Sequence, residues 1–192
     1  MNAEPAVAGL VRVRTLGTID VRHAHGPEAG AGAVVSQPKR FALLAYLAAA
    51  TPHGFHRRDT LLGLFWPELD LDQGRHALRQ GLHFLRQRLG PVVARRGDED
   101  VGLDPDMLWC DAPAFEQSLD RGQPAAALEL YGGDFLPGFF VSGVAAEFEQ
   151  WLESERTRLR ARAARAAWTV ADQAEGEGRA ADGAHWARRA VA

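Results

Sequence analysis

The feature that most constrains the fold is a segment of twenty residues, 71–90, in which leucine recurs at helical spacing. The leucines are Leu78, Leu82, Leu85 and Leu89. At about 100° per residue they fall within about 60° of one another, so they form one apolar seam. Gly90-Pro91 follows, and this pair is typical of the end of a helix. The sequence therefore predicts a helix from about Leu71 to Leu89 that is buried along one face.

The opposite face of that helix is polar and basic. Its members are Asp72, His76, Arg79, Gln80, His83 and Gln87, with Arg75 and Arg86 on one flank. Residues 71–96 carry six arginines and one aspartate, although the whole chain has a net charge of −3. A helix fits the major groove of duplex DNA, where Arg and Gln pair with base edges while flanking arginines contact phosphates. A solvated face of an ordinary helix is the alternative interpretation.

Two sets of side chains are candidates for contact with DNA. The base-reading candidates are His76, Arg79, Gln80 and His83. The phosphate candidates are Lys39, Arg57, Arg58, Arg75, Arg86, Arg95 and Arg96. Arg75, Arg79, Arg86, Arg95 and Arg96 fall within the basic stretch 71–96, and this clustering of charge favours a nucleic-acid interface.

Shorter elements are predicted on both sides of this helix. Before it we expect two strands around Gly17 (11–15 and 18–22), a loop (23–32), a third short strand (33–35), a helix from Pro38 to near Pro52, and a helix capped by Asp59 and ended by Pro67. After it we expect a β-hairpin, 91–96 and 101–103, with a polar tip at 97–100. The alternation of apolar and polar residues supports the strands, and Pro38 suits the first turn of a helix.

Beyond Pro105 the pattern becomes helical. Helices are expected at 111–119, 124–131, 147–173 and 179–192. The long one carries an apolar face formed by Phe148, Leu152, Leu159, Ala163, Ala166 and Val170. We therefore place one domain at 1–108 and a second at 109–192. Since the helical pattern runs to the last residue, the expectation is a fragment of a longer protein.

Two blocks of sequence resemble the antibiotic regulatory protein (SARP) family of bacterial activators. The first block is RDTLLGLFWP at 58–67 with RHALRQGLHFLRQRLG at 75–90. The second is DAPAF at 111–115, the stretch 122–138 with LELYGGDFLPG at its end, and EFEQWLESER at 147–156. The likeness covers nearly the whole chain, and the two blocks together are more specific than either alone.

This resemblance implies a mainly α fold with a small β component. It implies an OmpR-like winged helix-turn-helix followed by an all-α, tetratricopeptide-like bacterial transcriptional activation domain. The implied function is that of a cytoplasmic, nucleoid-associated activator that binds direct repeats of duplex DNA near promoters. Its implied partners are RNA polymerase or a sigma factor, and a second copy of the chain on DNA. The acidic tip Asp98–Asp100, and the lack of an aromatic residue in 101–103, depart from the family's wing.

Other classes of function find little support in the sequence. There is no nucleophile elbow, phosphate-binding loop or dinucleotide turn, so an enzyme is not expected. No cofactor or metal is expected, because the histidines lack cysteine or carboxylate neighbours at ligand spacing. No signal peptide or membrane-length apolar run is present, and the single Cys110 suits a reducing cytoplasm. The main rival is a protein-interaction scaffold whose winged helix no longer binds DNA.

Overall fold

The computed structural model describes residues 11–23 and 32–178. Helices make up 57% and strands 14% of these residues, which confirms a mainly α fold with a small β component. The helix expected at 179–192 and most of the loop expected at 23–32 lie outside the described residues.

Seven helices and six strands are formed in the described part of the chain. The helices are α1 (Gly32–Val35), α2 (Pro38–Ala49), α3 (Arg58–Phe65), α4 (Leu71–Leu89), α5 (Asp111–Asp120), α6 (Pro124–Leu130) and α7 (Ala146–Gly176). The strands are β1 (Val11–Arg14), β2 (Asp20–His23), β3 (His56–Arg57), β4 (Val93–Arg96), β5 (Asp100–Leu103) and β6 (Leu108–Cys110).

The chain divides into two compact units. Among the described residues, unit 1 holds 11–14, 19–23, 32–110 and 138–151. Unit 2 holds 15–18, 111–137 and 152–178. The segment 138–151, which the sequence-based boundary assigned to the second domain, thus lies in unit 1.

The first sheet of unit 1 has the strand order β2-β1-β6. The expected antiparallel pair is confirmed, with Val13 opposite Val21. The third strand is β6, which pairs in parallel with β1. The strand expected at 33–35 is wrong, because these residues form the single turn α1, closed by a hydrogen bond from the Ser36 amide to the Gly32 carbonyl (3.3 Å).

The second sheet of unit 1 has the order β3-β5-β4 and contains the expected hairpin. The short strand β3, which was not expected, pairs with the other edge of β5. Gly102 in β5 passes so close to Gly54 that a Cβ atom would lie 2.5 Å from the Gly54 carbonyl oxygen. A side chain larger than glycine is therefore excluded at this position of the hairpin.

The starts of α2 and α4, and the end of α4, follow local signals. Pro38 opens α2, and α4 begins after Asp70, whose carboxylate accepts a hydrogen bond from the Gln73 amide (2.9 Å). Gly90 ends α4 with a positive φ of 81°. Asp59 does not cap α3, contrary to expectation, since β3 leads straight into the helix at Arg58. Asp59 lies instead in the first turn, where a negative charge favours the helix dipole.

Aromatic side chains from 138–151 complete the core of unit 1. Phe139 meets Phe41 edge-on, with ring centroids 5.3 Å apart. Phe148 packs on Phe65 at 5.0 Å, and the Trp151 ring lies 4.7 Å from that of Tyr46. Aromatic pairs at these separations stabilise a core beyond the area they bury.

Unit 2 is helical and is held by buried carboxylates as well as apolar contacts. The buried Asp111 accepts hydrogen bonds from the Thr15 hydroxyl (2.6 Å) and from the Thr15 and Leu16 amides (2.8 and 3.0 Å). The buried Glu116 accepts from Arg158 (2.9 Å) and Arg162 (2.7 Å) on α7. The apolar face expected on the long helix is buried, as predicted.

Candidate nucleic-acid interface

Helix α4 presents the base-reading candidates to solvent. All four leucines of the seam are buried, with at most 2% of each residue exposed. His76, Arg79, Gln80 and His83 are exposed on the opposite side. The His76 and Gln80 side chains are one helical turn apart and their nitrogens lie 3.5 Å from each other. The packing of the seam therefore fixes which side chains of α4 a ligand can reach.

Four arginines from three elements surround one flank of α4. They are Arg58 at the start of α3, Arg79 and Arg86 on α4, and Arg95 on β4. Burial lowers the pKa of Arg58, and the positive charges of Arg95 and Arg79 lower it further. Burial likewise lowers the pKa of Arg86, with added contributions from Arg95 and Arg58. Arg58, Arg86 and Arg95 therefore lie close enough to repel one another, and Arg79 repels Arg58. We call these four arginines the arginine cluster.

The arginine cluster is poorly neutralised by the protein itself. Within residues 11–23 and 32–178, none of its members forms a salt bridge within 4.0 Å. The Nε atom of Arg58 is buried without a hydrogen-bond partner in this part of the chain. Glu99 and Asp98 act on Arg58 only at longer range, where their charges raise its pKa against the larger effect of burial. A group of repelling cations with little internal neutralisation is suited to bind an anion.

The other four phosphate candidates are already paired with acidic groups. Arg57 lies 4.0 Å from Glu99, Arg75 lies 3.9 Å from Asp72, and Arg96 lies 2.8 Å from Asp100. Lys39 lies 3.7 Å from Glu68 and donates a hydrogen bond to the Gly143 carbonyl (2.5 Å). Exposed ion pairs are worth about 0–1 kcal/mol, so a phosphate can displace the arginine pairs at little cost. Only Arg58, Arg86 and Arg95 of the seven belong to the arginine cluster.

Two cations on the other flank of α4 were missed by the sequence analysis. Arg40 on α2 stacks over the Phe84 ring, with its guanidinium carbon 4.1 Å from the centroid. Arg88 approaches the same ring at 5.6 Å. On a helical wheel, Phe84 and Arg88 lie on the flank opposite Arg79, so α4 carries positive charge on both sides. The i,i+4 spacing of Phe84 and Arg88 was a usable signal, whereas the approach of Arg40 was not readable from local sequence.

The tip of the hairpin places acidic side chains beside this basic surface. The Arg58 amide donates a hydrogen bond to the Glu99 carbonyl (2.8 Å), which fixes the tip at the start of α3. Asp98 and Glu99 are exposed. The backbone hydrogen bond and the charges of Asp98 and Glu99 therefore keep the tip beside Arg58.

Comparisons with known proteins leave the interface to be interpreted from its own residues. A scan against protein-family models and a search of curated proteins both find no match to this chain.

No helix in the described ranges is long and apolar enough to cross a membrane. In the same ranges, no three His, Cys, Asp or Glu side chains come together as metal ligands would.

Proposed function

We propose that this protein binds duplex DNA in a sequence-specific manner through α4 and activates transcription. The observation that carries the proposal is the arginine cluster, which borders an exposed helix face rich in Arg, Gln and His. Phosphates would relieve the mutual repulsion of Arg58, Arg86 and Arg95. Base edges in the major groove would be read by His76, Arg79, Gln80 and His83, of which Arg and Gln are suited to paired hydrogen bonds.

The order of elements supports an OmpR-like winged helix-turn-helix in unit 1. Two strands, three longer helices and a hairpin follow one another, and α4 is the third of those helices. In this proposal α4 is the recognition helix and β4-β5 is the wing. The helices of unit 2 then serve as a tetratricopeptide-like activation domain. Its partners would be RNA polymerase or a sigma factor, with two copies of the chain on direct repeats, in the cytoplasm at the nucleoid.

Selection from a random pool of duplexes, followed by fluorescence anisotropy, tests DNA recognition. The full chain should enrich a defined sequence and bind it more weakly as salt increases, because phosphate binding releases counterions. The double variant Arg58→Ala/Arg95→Ala should bind all duplexes more weakly, with a salt slope reduced by about two units. Arg165→Ala, which removes an exposed arginine of unit 2, is the matched control and should bind as the wild type does. Enrichment of no sequence, with equal binding by all three chains, would disprove recognition by this surface.

A protein-interaction scaffold is the second candidate, favoured by the exposed acidic tip and the net charge of −3. A gel shift on an arbitrary duplex at low salt distinguishes the DNA-binding protein from the scaffold. The basic flanks of α4 should give weak binding even without the preferred sequence. Complete absence of a shift would favour the scaffold.

A further inference from the structure

A groove of about 760 Å³ runs along the side of α4 that faces away from the arginine cluster. Among the residues that line it are Lys39, Arg40, Trp66, Gln80 and Phe140. All of them belong to unit 1. Gln80 is also a base-reading candidate, so the groove begins at the face that we propose for DNA.

Phe140 is the most exposed large apolar residue of the described chain, with 75% of its surface accessible. Its neighbours on both sides are fixed. Phe139 packs edge-on against Phe41 at 5.3 Å, and Val141 is buried. The Gly143 carbonyl accepts a hydrogen bond from Lys39 (2.5 Å). The loop therefore holds Phe140 outward on an anchored backbone, which lowers the entropy cost of using the ring for binding.

The surroundings of Phe140 favour a nucleic acid over a protein as the ligand. A protein-docking site buries an aromatic anchor among other apolar side chains. Phe140 shares its groove with the apolar Pro38, Trp66 and Val141, but also with Lys39, Arg40 and Gln80, so positive charge lies beside the ring. In the described residues Arg40 contacts the Phe84 ring and has no carboxylate within ion-pair distance. Cations beside an exposed aromatic ring complement the phosphates and the apolar groups of DNA.

We propose that Phe140 is a specificity-determining residue that packs against the C5 methyl group of a thymine at one edge of the DNA site. This inference rests on the proposed function, because it places the duplex on α4. In the major groove, the thymine methyl is the apolar group by which a side chain such as Phe distinguishes thymine. Arg40 would contact a phosphate next to that thymine, on the flank opposite the arginine cluster.

The test uses the full chain and the duplex obtained by selection. Each thymine of that duplex is replaced in turn by deoxyuridine, which removes only the C5 methyl group. Wild type should lose about fourfold in affinity at one edge position, as expected for one buried methyl group. Phe140→Ala should bind the thymine duplex about four- to tenfold more weakly and should not distinguish thymine from uracil there. Trp168→Ala removes another exposed aromatic residue, in unit 2, and should behave as wild type.

The outcomes separate this inference from the proposal on which it rests. Loss of binding by Arg79→Ala, with wild-type affinity and wild-type uracil discrimination in Phe140→Ala, would overturn only the role of Phe140. A selected site without thymine at either edge would overturn it as well. Failure of wild type to bind any duplex would remove both proposals. Thermal melting of each variant checks folding, and Phe140→Ala should melt as wild type does because its side chain is exposed.

Discussion

Arg79 and Arg86 lie two turns apart on α4 but in different surroundings. Arg79 is exposed beside the other base-reading candidates, whereas Arg86 is half-buried and is affected by the charges of Arg95 and Arg58. Arg79→Ala should therefore cost roughly 1–3 kcal/mol on the preferred site and relax its sequence preference. Arg86→Ala should weaken binding to all sequences alike and lower the salt slope by about one unit. Anisotropy titrations at several salt concentrations measure both effects.

Leu82→Ala is the control that separates contact from folding. Leu82 is 1% exposed in the seam of α4, so its truncation should destabilise the fold by roughly 2–5 kcal/mol. Both arginine variants should melt close to wild type. If Arg79→Ala loses specific and nonspecific binding equally, Arg79 is a phosphate contact and does not read bases.

Asp111 makes the stability of unit 2 depend on pH. Burial raises the pKa of Asp111 above its usual 3.8, although hydrogen bonds from Thr15 and Leu16 oppose this shift. Between pH 3.8 and the raised pKa, Asp111 is still protonated in the folded chain but already ionised in the unfolded chain. The contribution of Asp111 to the free energy of unfolding therefore falls as pH rises through this range. Asp111→Asn lacks this dependence and leaves one backbone donor without an acceptor oxygen. It should therefore be less stable by about 1–3 kcal/mol, and the gap to wild type should narrow as pH rises.

Denaturant unfolding of both chains between pH 3.5 and about 7 measures that gap, since carboxylates elsewhere titrate equally in the two proteins. A gap that widens with pH would show that the pKa of Asp111 is lowered in the folded state.

At the scale of elements, we expect the hairpin tip to weaken the attraction of unit 1 for phosphate. The charges of Asp98 and Glu99 act on Arg58, and exposed charges interact mainly within the Debye length, about 8 Å at physiological salt. The two carboxylates should therefore repel a phosphate that Arg58 binds. Replacing them with Asn and Gln should tighten DNA binding and steepen its salt dependence. Asp100 is kept, because it holds Arg96 at 2.8 Å and so supports the hairpin.

Asp106→Asn removes an exposed acid of unit 1 that is absent from the charges acting on Arg58, and so serves as the control for the tip variant. DNA titrations of the tip variant and of Asp106→Asn at low salt test this prediction. If the two variants bind DNA with equal affinity, the tip points away from bound DNA.

How well an element could be predicted depended on where its stabilising contacts lie in the sequence. The bounds of α4 were predicted because its leucine seam and its terminal glycine are local signals. Strands β3 and β6 have only two or three residues, too few to show a period of two, and each pairs with a distant strand. Each arginine of the cluster was named from the sequence as a candidate for contact with DNA, but their grouping in space was not predicted. That grouping depends on how α3, α4 and β4 pack, which spacing in one sequence does not encode.

At the scale of the whole molecule, the division into units changes where the chain can be cut. A chain ending at Asp106 keeps α4 and the hairpin but loses β6 and the segment 138–151. It therefore loses Phe148 and Trp151 from the core of unit 1. We expect it to melt well below the full chain and to bind DNA weakly for that reason. Circular dichroism measures the melting temperature of the shortened chain, and anisotropy titrations measure its DNA affinity.

The matched control is the full-length variant Phe148→Ala, which removes one of those core side chains. Its expected cost is about 3–5 kcal/mol. If the chain ending at Asp106 melts like the full protein and keeps its DNA affinity, residues 138–151 are dispensable for unit 1. A promoter assay on that chain would then show whether activation needs unit 2.

Because residues 138–151 belong to unit 1, the aromatic core of unit 1 can be completed only late in translation. Phe41, Tyr46 and Phe65 are translated early, but their partners Phe139, Phe148 and Trp151 follow only after the sequence of α5 and α6. At about 5–20 residues per second, translation from residue 110 to residue 151 takes roughly 2–8 s. During that interval the nascent chain carries a half-finished aromatic core, a surface that chaperones bind and that promotes aggregation.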